Sequence, residues 1–258
     1  MTSASAATSN MVKTVRGLVL REVPYKESSR ILTVLTDTDG KLTVSANGTK
    51  RKNSRTSAAS QLLAYSEMTL SGSHGKWYLN EASVLEMFEE LRLDIRLLSL
   101  GTYFAELLET VGNEDMPDPE ILRLGLNSLH LLSRRNYPPE CVKPAFELKL
   151  MRLAGYEPML DACEVCGAAE PERPFFNTEG GSICCESCRG LIPGRKIALC
   201  PDSLHAMRHI LSGDGAASFR FTLPKDASDR LVKASEDYAS CCVERRFGAL
   251  EYYYNLEL

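Results

Sequence analysis

Along the first eighty residues apolar and polar side chains alternate in short runs, the period of half-buried strands. VKTVRGLVL opens the series, SRILTVLT and KLTVSA follow, and LLAYSEMTLS and KWYLNEA complete five candidate strands. Asp39-Gly40, between the second and third, supplies residues that tolerate positive φ and predicts a hairpin turn. Five short strands within residues 12–82 predict a small barrel of the OB kind, although alternation does not separate it from an SH3-like barrel.

At Ser83 the period changes to three and four. Ser83 with Glu86 forms a capping-box pattern, and VLEMFEELRLDIRLLSLGTYFAELLETV carries a helical apolar stripe that ends at Gly112-Asn113. Asp118-Pro119 starts a second helix running to about Arg134. After Pro138-Pro139, ECVKPAFELKLMRLAG predicts a third helix ending at Gly155. Two more helices are expected at Asp202–Leu211 and Ser228–Phe247. The predicted fold class is therefore α+β and multidomain: a tail over residues 1–11, the OB-fold barrel over 12–82, a helical bundle over 83–160 and 199–258, and an insertion over 161–198.

Composition adds little, being 44% hydrophobic and 25% charged. No apolar run reaches the ~18 residues of a membrane span. MTSASAATSN lacks the charged start and apolar stretch of a secretory signal and reads as a frayed tail, so a cytoplasmic location is expected. The net charge of −4 is unevenly spread. Residues 1–80 hold eleven Lys and Arg against five Asp and Glu, whereas the rest holds nineteen against twenty-nine. Such asymmetry marks the first segment as a nucleic-acid face.

Five of the nine cysteines fall between residues 163 and 188. Scattered core thiols do not cluster so, and a reducing cytoplasm disfavours disulfides. Cys163-x-x-Cys166-Gly and Cys185-x-x-Cys188, eighteen residues apart, have the spacing of a four-cysteine zinc ribbon. Two intervening residues let a tight turn aim both sulfurs at one ion. Gly180-Gly181 lets a hairpin return the second pair. Four thiolates would close the coordination shell, making the zinc structural. Cys184 is an alternative to Cys185 as ligand. His205 and His209, spaced i and i+4 without a metalloprotease glutamate, read as surface histidines.

Between Lys41 and Arg55 there are five basic residues and no acidic one: Lys41, Lys50, Arg51, Lys52 and Arg55. On a barrel otherwise rich in cations, with glycine and serine alongside, this run suits a groove that tracks phosphates. Lys26 and Arg30 extend it, and Tyr25, Tyr65, Trp77 and Tyr78 are candidate stacking residues. P-loop, nucleophile-elbow and Rossmann patterns are absent, which argues against enzymatic chemistry.

Three segments in order carry a resemblance. V-R-G-L-V-L-R-E-V-P-Y-K-E-S-S-R-I-L-T-V-L-T, D-G-K-L and G-T-K-R-K resemble the N-terminal OB domain of the RecO family. Phe146–Met151 followed by Ala154-Gly155-Tyr156-Glu157-Pro158 looks like its helical-domain signature. C-x-x-C-G, Gly180-Gly181 and the second cysteine pair are similar to its zinc insertion, except that Cys184 fills the family's usual first place, which leaves Cys184 or Cys185 open. The likeness spans roughly residues 12–190. It implies a non-enzymatic, nucleoid-associated recombination mediator in DNA repair. Such a protein binds single- and double-stranded DNA, anneals complementary strands, and partners RecR and the acidic tail of single-strand DNA-binding protein to load RecA. Lys50, Arg51 and Lys52 match the DNA face. Lys143, Lys149 and Arg152 are candidates for the tail-peptide site. The alternative is a zinc-ribbon adaptor that binds RNA in translation or transcription.

Overall fold

A computed structural model describes residues 11–51, 54–73, 75–135 and 137–256. The chain divides into two compact units. One runs through Leu126 and takes in the chain from Tyr252; the other is Asn127–Glu251.

The first unit is built on five strands: β1 (Met11–Tyr25), β2 (Ser29–Thr36), β3 (Gly40–Ala46), β4 (Tyr65–Ser73) and β5 (Lys76–Glu86). They close a barrel in the order β1-β2-β3-β5-β4. The β3–β5 seam is parallel, pairing Val44 with Trp77, while the other neighbours are antiparallel. This five-stranded closed order is that of the OB fold, which resolves the choice that alternation left open. Val15, Val19, Leu32, Val34, Leu42, Val44, Met68 and Leu70 fill the interior. Each such side chain contributes about 1.5–3 kcal/mol relative to exposure. Gly17 faces this core because a Cβ there would lie 2.5 Å from Val34 Cγ1. At the β2–β3 turn Gly40 has φ of 67°, and Thr36 Oγ1 donates to its carbonyl at 2.8 Å.

The expected helix start at Ser83 is not observed. Ser83–Glu86 continue β5, with Ser83 opposite Glu67 and Val84 opposite Ser66. The β4 ladder satisfies this backbone, so the capping box has no open N–H groups to serve. Instead Glu86 Oε1 accepts from the N–H groups of Met87 and Phe88, both at 2.9 Å, and Phe88 turns the chain at φ of 49°. One helical turn, α1 (Glu89–Arg92), precedes α2 (Ile95–Val111), which Asp94 caps by accepting from Arg96 and Leu97 N–H. Of the segment assigned to a tail, residues 1–10 lie outside the described residues, and Met11 already belongs to β1.

Next come α3 (Pro119–Arg134), capped by Asp118, and α4 (Pro139–Leu153), which opens after Pro138. A small sheet follows, β6 (Met159–Cys163), β7 (Pro174–Asn177), β8 (Ser182–Cys185) and β9 (Lys196–Ala198), in the order β6-β8-β7-β9. Three helices complete the chain: α5 (Pro201–Ser212), α6 (Lys225–Cys242) and α7 (Gly248–Asn255). The single helix expected over Ser228–Phe247 is thus cut after Cys242, where Glu244 takes φ of 50°.

Within the second unit α4 and α6 are joined by buried charges. Lys143 Nζ lies 2.9 Å from both Glu147 Oε1 and Glu236 Oε2, and Ser235 Oγ donates to Glu147 Oε2 at 2.6 Å. Burial alone would lower the Lys143 pKa, but the two carboxylates hold it above its ordinary value. Lys143→Met strands a buried carboxylate and is expected to destabilise the chain by about 3–5 kcal/mol. Urea unfolding measures this. Adding Glu147→Gln should recover part of the loss.

Candidate nucleic-acid interface and metal centre

The two C-x-x-C segments meet at one end of the small sheet. Cys163 closes β6, and its carbonyl accepts from Gly167 N–H at 2.9 Å, with Gly167 at φ of 72°. Cys185 closes β8, and its carbonyl accepts from Cys188 N–H at 3.1 Å. The sulfurs of Cys163, Cys166, Cys185 and Cys188 all lie within 4.8 Å of one another. Cys163–Cys185 and Cys166–Cys185 are 3.9 and 3.7 Å apart. Four thiolates about 2.3 Å from a tetrahedral ion sit about 3.8 Å apart, the separation these two pairs show.

Strand parity separates the two candidate neighbours. Successive β8 side chains point to opposite faces, and the Sγ of Cys185, not that of Cys184, joins the four-sulfur group. Cys184 is fully buried, and burial raises its pKa. Hydrogen bonds from Ser187 and then Cys188 bring the Cys185 thiol down to about 6, while Cys188, holding the shared proton, is pushed up to about 12. Burial opposes ionisation of Cys163, but N–H groups of Cys166, Cys185 and Val165 donate to its sulfur and the net shift is downward.

No motif in the sequence marks the residue that braces the first knuckle. Arg208 of α5 donates to the carbonyls of Leu160 at 2.8 Å, Asp161 at 3.0 Å and Ala169 at 2.7 Å, and pairs with Glu170 at 2.6 Å. One guanidinium therefore ties together the chain before Cys163 and the chain after Cys166. His205 pairs with the same Glu170 at 3.1 Å, and His209 faces the Ala217 carbonyl at 3.0 Å. Neither histidine joins the cysteines.

The barrel's candidate cations divide into two sets. Lys41 Nζ donates to the Glu109 carbonyl in the last turn of α2 at 2.7 Å, where a cation meets the negative end of the helix. Arg30 is mostly covered, bonded to Ser60 Oγ at 3.1 Å and paired with Glu22 at 3.5 Å. Both are tied into the unit and do not extend a free basic face. Lys50, Arg51 and Arg55 are exposed and carry no ion-pair partner among the described residues; Lys52 lies outside them. Lys50 N–H donates to the Ser28 carbonyl at 3.1 Å, which seats this loop on the β1–β2 turn and its exposed Lys26. Glu27, the one acid of that turn, is also exposed.

The proposed peptide-binding cations are otherwise engaged. Lys143 is buried in its ion-pair group. Lys149 Nζ bonds the Gly213 carbonyl, and Arg152 bonds the Leu211 carbonyl at 2.5 Å and pairs with Glu157 at 3.1 Å. The last two satisfy open carbonyls at the end of α5. A cavity of about 750 Å³ lies elsewhere in the second unit, lined by Tyr137, Cys141, Arg220, Phe221, Leu223 and Lys225 among others.

The strand order, the cationic loop and the four-sulfur knuckles define an OB-barrel protein with a helical portion bearing four cysteines that could hold a metal ion. Two family models match: Recombination protein O N terminal over residues 11–88 and Recombination protein O C terminal over residues 92–251. The chain belongs to the RecO family. It is similar to DNA repair protein RecO of Acetivibrio thermocellus, at 28% identity over 248 residues, 96% of this chain and 98% of the relative. The proteins of that name from Caldicellulosiruptor bescii and Exiguobacterium sibiricum are each 35% identical, covering 69% and 67% of this chain and 72% and 70% of theirs.

With its pKa at about 6, Cys185 is mostly thiolate at pH 7 in metal-free protein, and Cys184 is not. Iodoacetamide is expected to alkylate Cys185 well before Cys184, with the rate at Cys185 falling as pH drops below about 6 while its lead over Cys184 persists. Peptide mass mapping after brief labelling reads this out. Equal labelling of both would contradict the strand parity.

Proposed function

We propose that this chain is a non-enzymatic DNA-binding recombination mediator in DNA repair. It binds single- and double-stranded DNA, anneals complementary strands and, with RecR, loads RecA onto strands coated by single-strand DNA-binding protein. It works in the cytoplasm, on the nucleoid. The observation that carries the reading is the basic loop of the barrel, where Lys50, Arg51 and Arg55 are exposed and carry no ion-pair partner among the described residues, and where Lys50 N–H seats the loop on the turn that bears Lys26. Family membership supports the role, since the relatives are named DNA repair protein.

The cationic loop grips phosphates and releases their counterions, so affinity falls linearly with salt on logarithmic axes. Zinc is the ion that the four thiolates suit best, being commonly held by ribbons of four cysteines. Held by Cys163, Cys166, Cys185 and Cys188, it would have no position for a reacting water and would serve to hold the two knuckles together. For the acidic tail of single-strand DNA-binding protein, Lys143, Lys149 and Arg152 are engaged inside the second unit and are not free to meet its carboxylates.

Two measurements test this. Lys50→Ala with Arg51→Ala should weaken single-strand binding and flatten the salt dependence by about one unit of slope per residue. Unchanged binding would remove the loop assignment, and strong preference for RNA would favour the adaptor reading. Elemental analysis of freshly purified reduced protein should find about one zinc per chain. Its removal by a chelator should lower the melting temperature, because structural zinc contributes folding free energy. Protein purified without any bound metal would contradict the zinc assignment.

A further inference from the structure

The end of β1 runs past the β4 edge of the barrel, while β2 stays paired with β3 as far as Arg30. β1 pairs with β4 from Met11 to Leu18. Beyond the irregularity at Val19–Arg21 it pairs with β2 alone: Val23 with Ile31, Pro24 with Arg30, Tyr25 with Ser29. Alternation puts Arg21, Val23 and Tyr25 on one face of this arm, the end of β1. Arg21 is engaged with Glu109 at 2.9 Å. Val23 and Tyr25 are left open, 41% and 45% exposed.

The barrel's other candidate aromatics are packed. Trp77 lies against the core and over Gly72, with the Lys13 ammonium 3.8 Å from its ring centroid. Tyr65 and Tyr78 are half-buried. Tyr25 alone among the described barrel aromatics is exposed, and the Lys26 ammonium lies 5.3 Å from its ring. The Lys50–Ser28 hydrogen bond makes the arm's turn continuous with the basic loop. In OB barrels the first hairpin loop is among those that contact oligonucleotides. An open aromatic ring offers a stacking surface of about 1–3 kcal/mol per base, indifferent to base identity. A duplex hides its base faces in its own stack, so only unpaired nucleotides can use the ring.

We infer that Tyr25, with Val23 on the same face of the arm, is a stacking platform for an unpaired base, while Lys26, Lys50 and Arg51 hold the neighbouring phosphates. This rests on the DNA-binding reading above and adds the residue that discriminates single strands from duplex.

The test compares the full chain binding an oligothymidine, the same strand with an abasic stretch, and a duplex, across three variants of matched melting temperature. Tyr25→Ala is expected to lose about tenfold in single-strand affinity, keep its duplex affinity and salt slope, and no longer separate base-bearing from abasic strands. Tyr25→Phe keeps the ring and should bind like the parent. Suppose Tyr25→Ala matches the parent on every strand while Lys50→Ala with Arg51→Ala weakens binding. The platform is then overturned and the basic-loop reading stands. Equal loss on single strand and duplex also overturns it, because Tyr25 then acts only on the shape of the arm. If no variant changes binding, both readings fall.

Discussion

A molecule with net charge −4 can hold a polyanion only through a local field. At physiological ionic strength exposed charges are largely screened beyond about 8 Å, so the excess acids downstream of residue 80 matter less to a phosphate than the side chains it touches. What counts is whether cations at one place are free of carboxylates. Lys50, Arg51 and Arg55 meet that condition, whereas Arg30 and Lys41 are engaged with the unit itself. Phosphate binding depends on that distinction more than on the number of basic residues.

Backbone pairing does the gathering. The OB order makes β3 and β5 parallel neighbours, and the loop leaving β3 returns over the β1–β2 turn, where Lys50 N–H meets the Ser28 carbonyl. Residues 25–28 and 48–51 are far apart in sequence yet share one surface. In the second unit a small sheet performs the same service for sulfur. β6 and β8 are parallel neighbours, each ends in a cysteine, and the C-x-x-C turns bring up the other two. Arg208 braces the first turn through three carbonyls, so the knuckle is shaped by protein contacts as well as by the sulfurs themselves.

Much of this was legible because it is periodic or local. The barrel strands follow from alternation, the Asp118 and Pro139 helix starts from terminus chemistry, and the cysteine pairs from their spacing. What was not legible depends on partners distant in sequence. Ser83 and Glu86 spell a helix cap, but β4 captures that backbone first. Lys143 looks like a surface cation in a charged helix, and only the approach of α6 with Glu236 buries it. Lys149 and Arg152 look free until the end of α5 arrives with its open carbonyls. Spacing favours Cys185, as C-x-x-C, over Cys184, as C-x-x-x-C, and the geometry of β8 puts the Cys185 sulfur in the group.

The most direct test of the central claim is hydrogen–deuterium exchange of the full chain with and without single-stranded DNA. A local grip on the barrel loops predicts slower exchange over residues 24–30 and 46–51, with that protection disappearing at high salt. Protection confined to residues 127–251, or persisting unchanged at high salt, would contradict it.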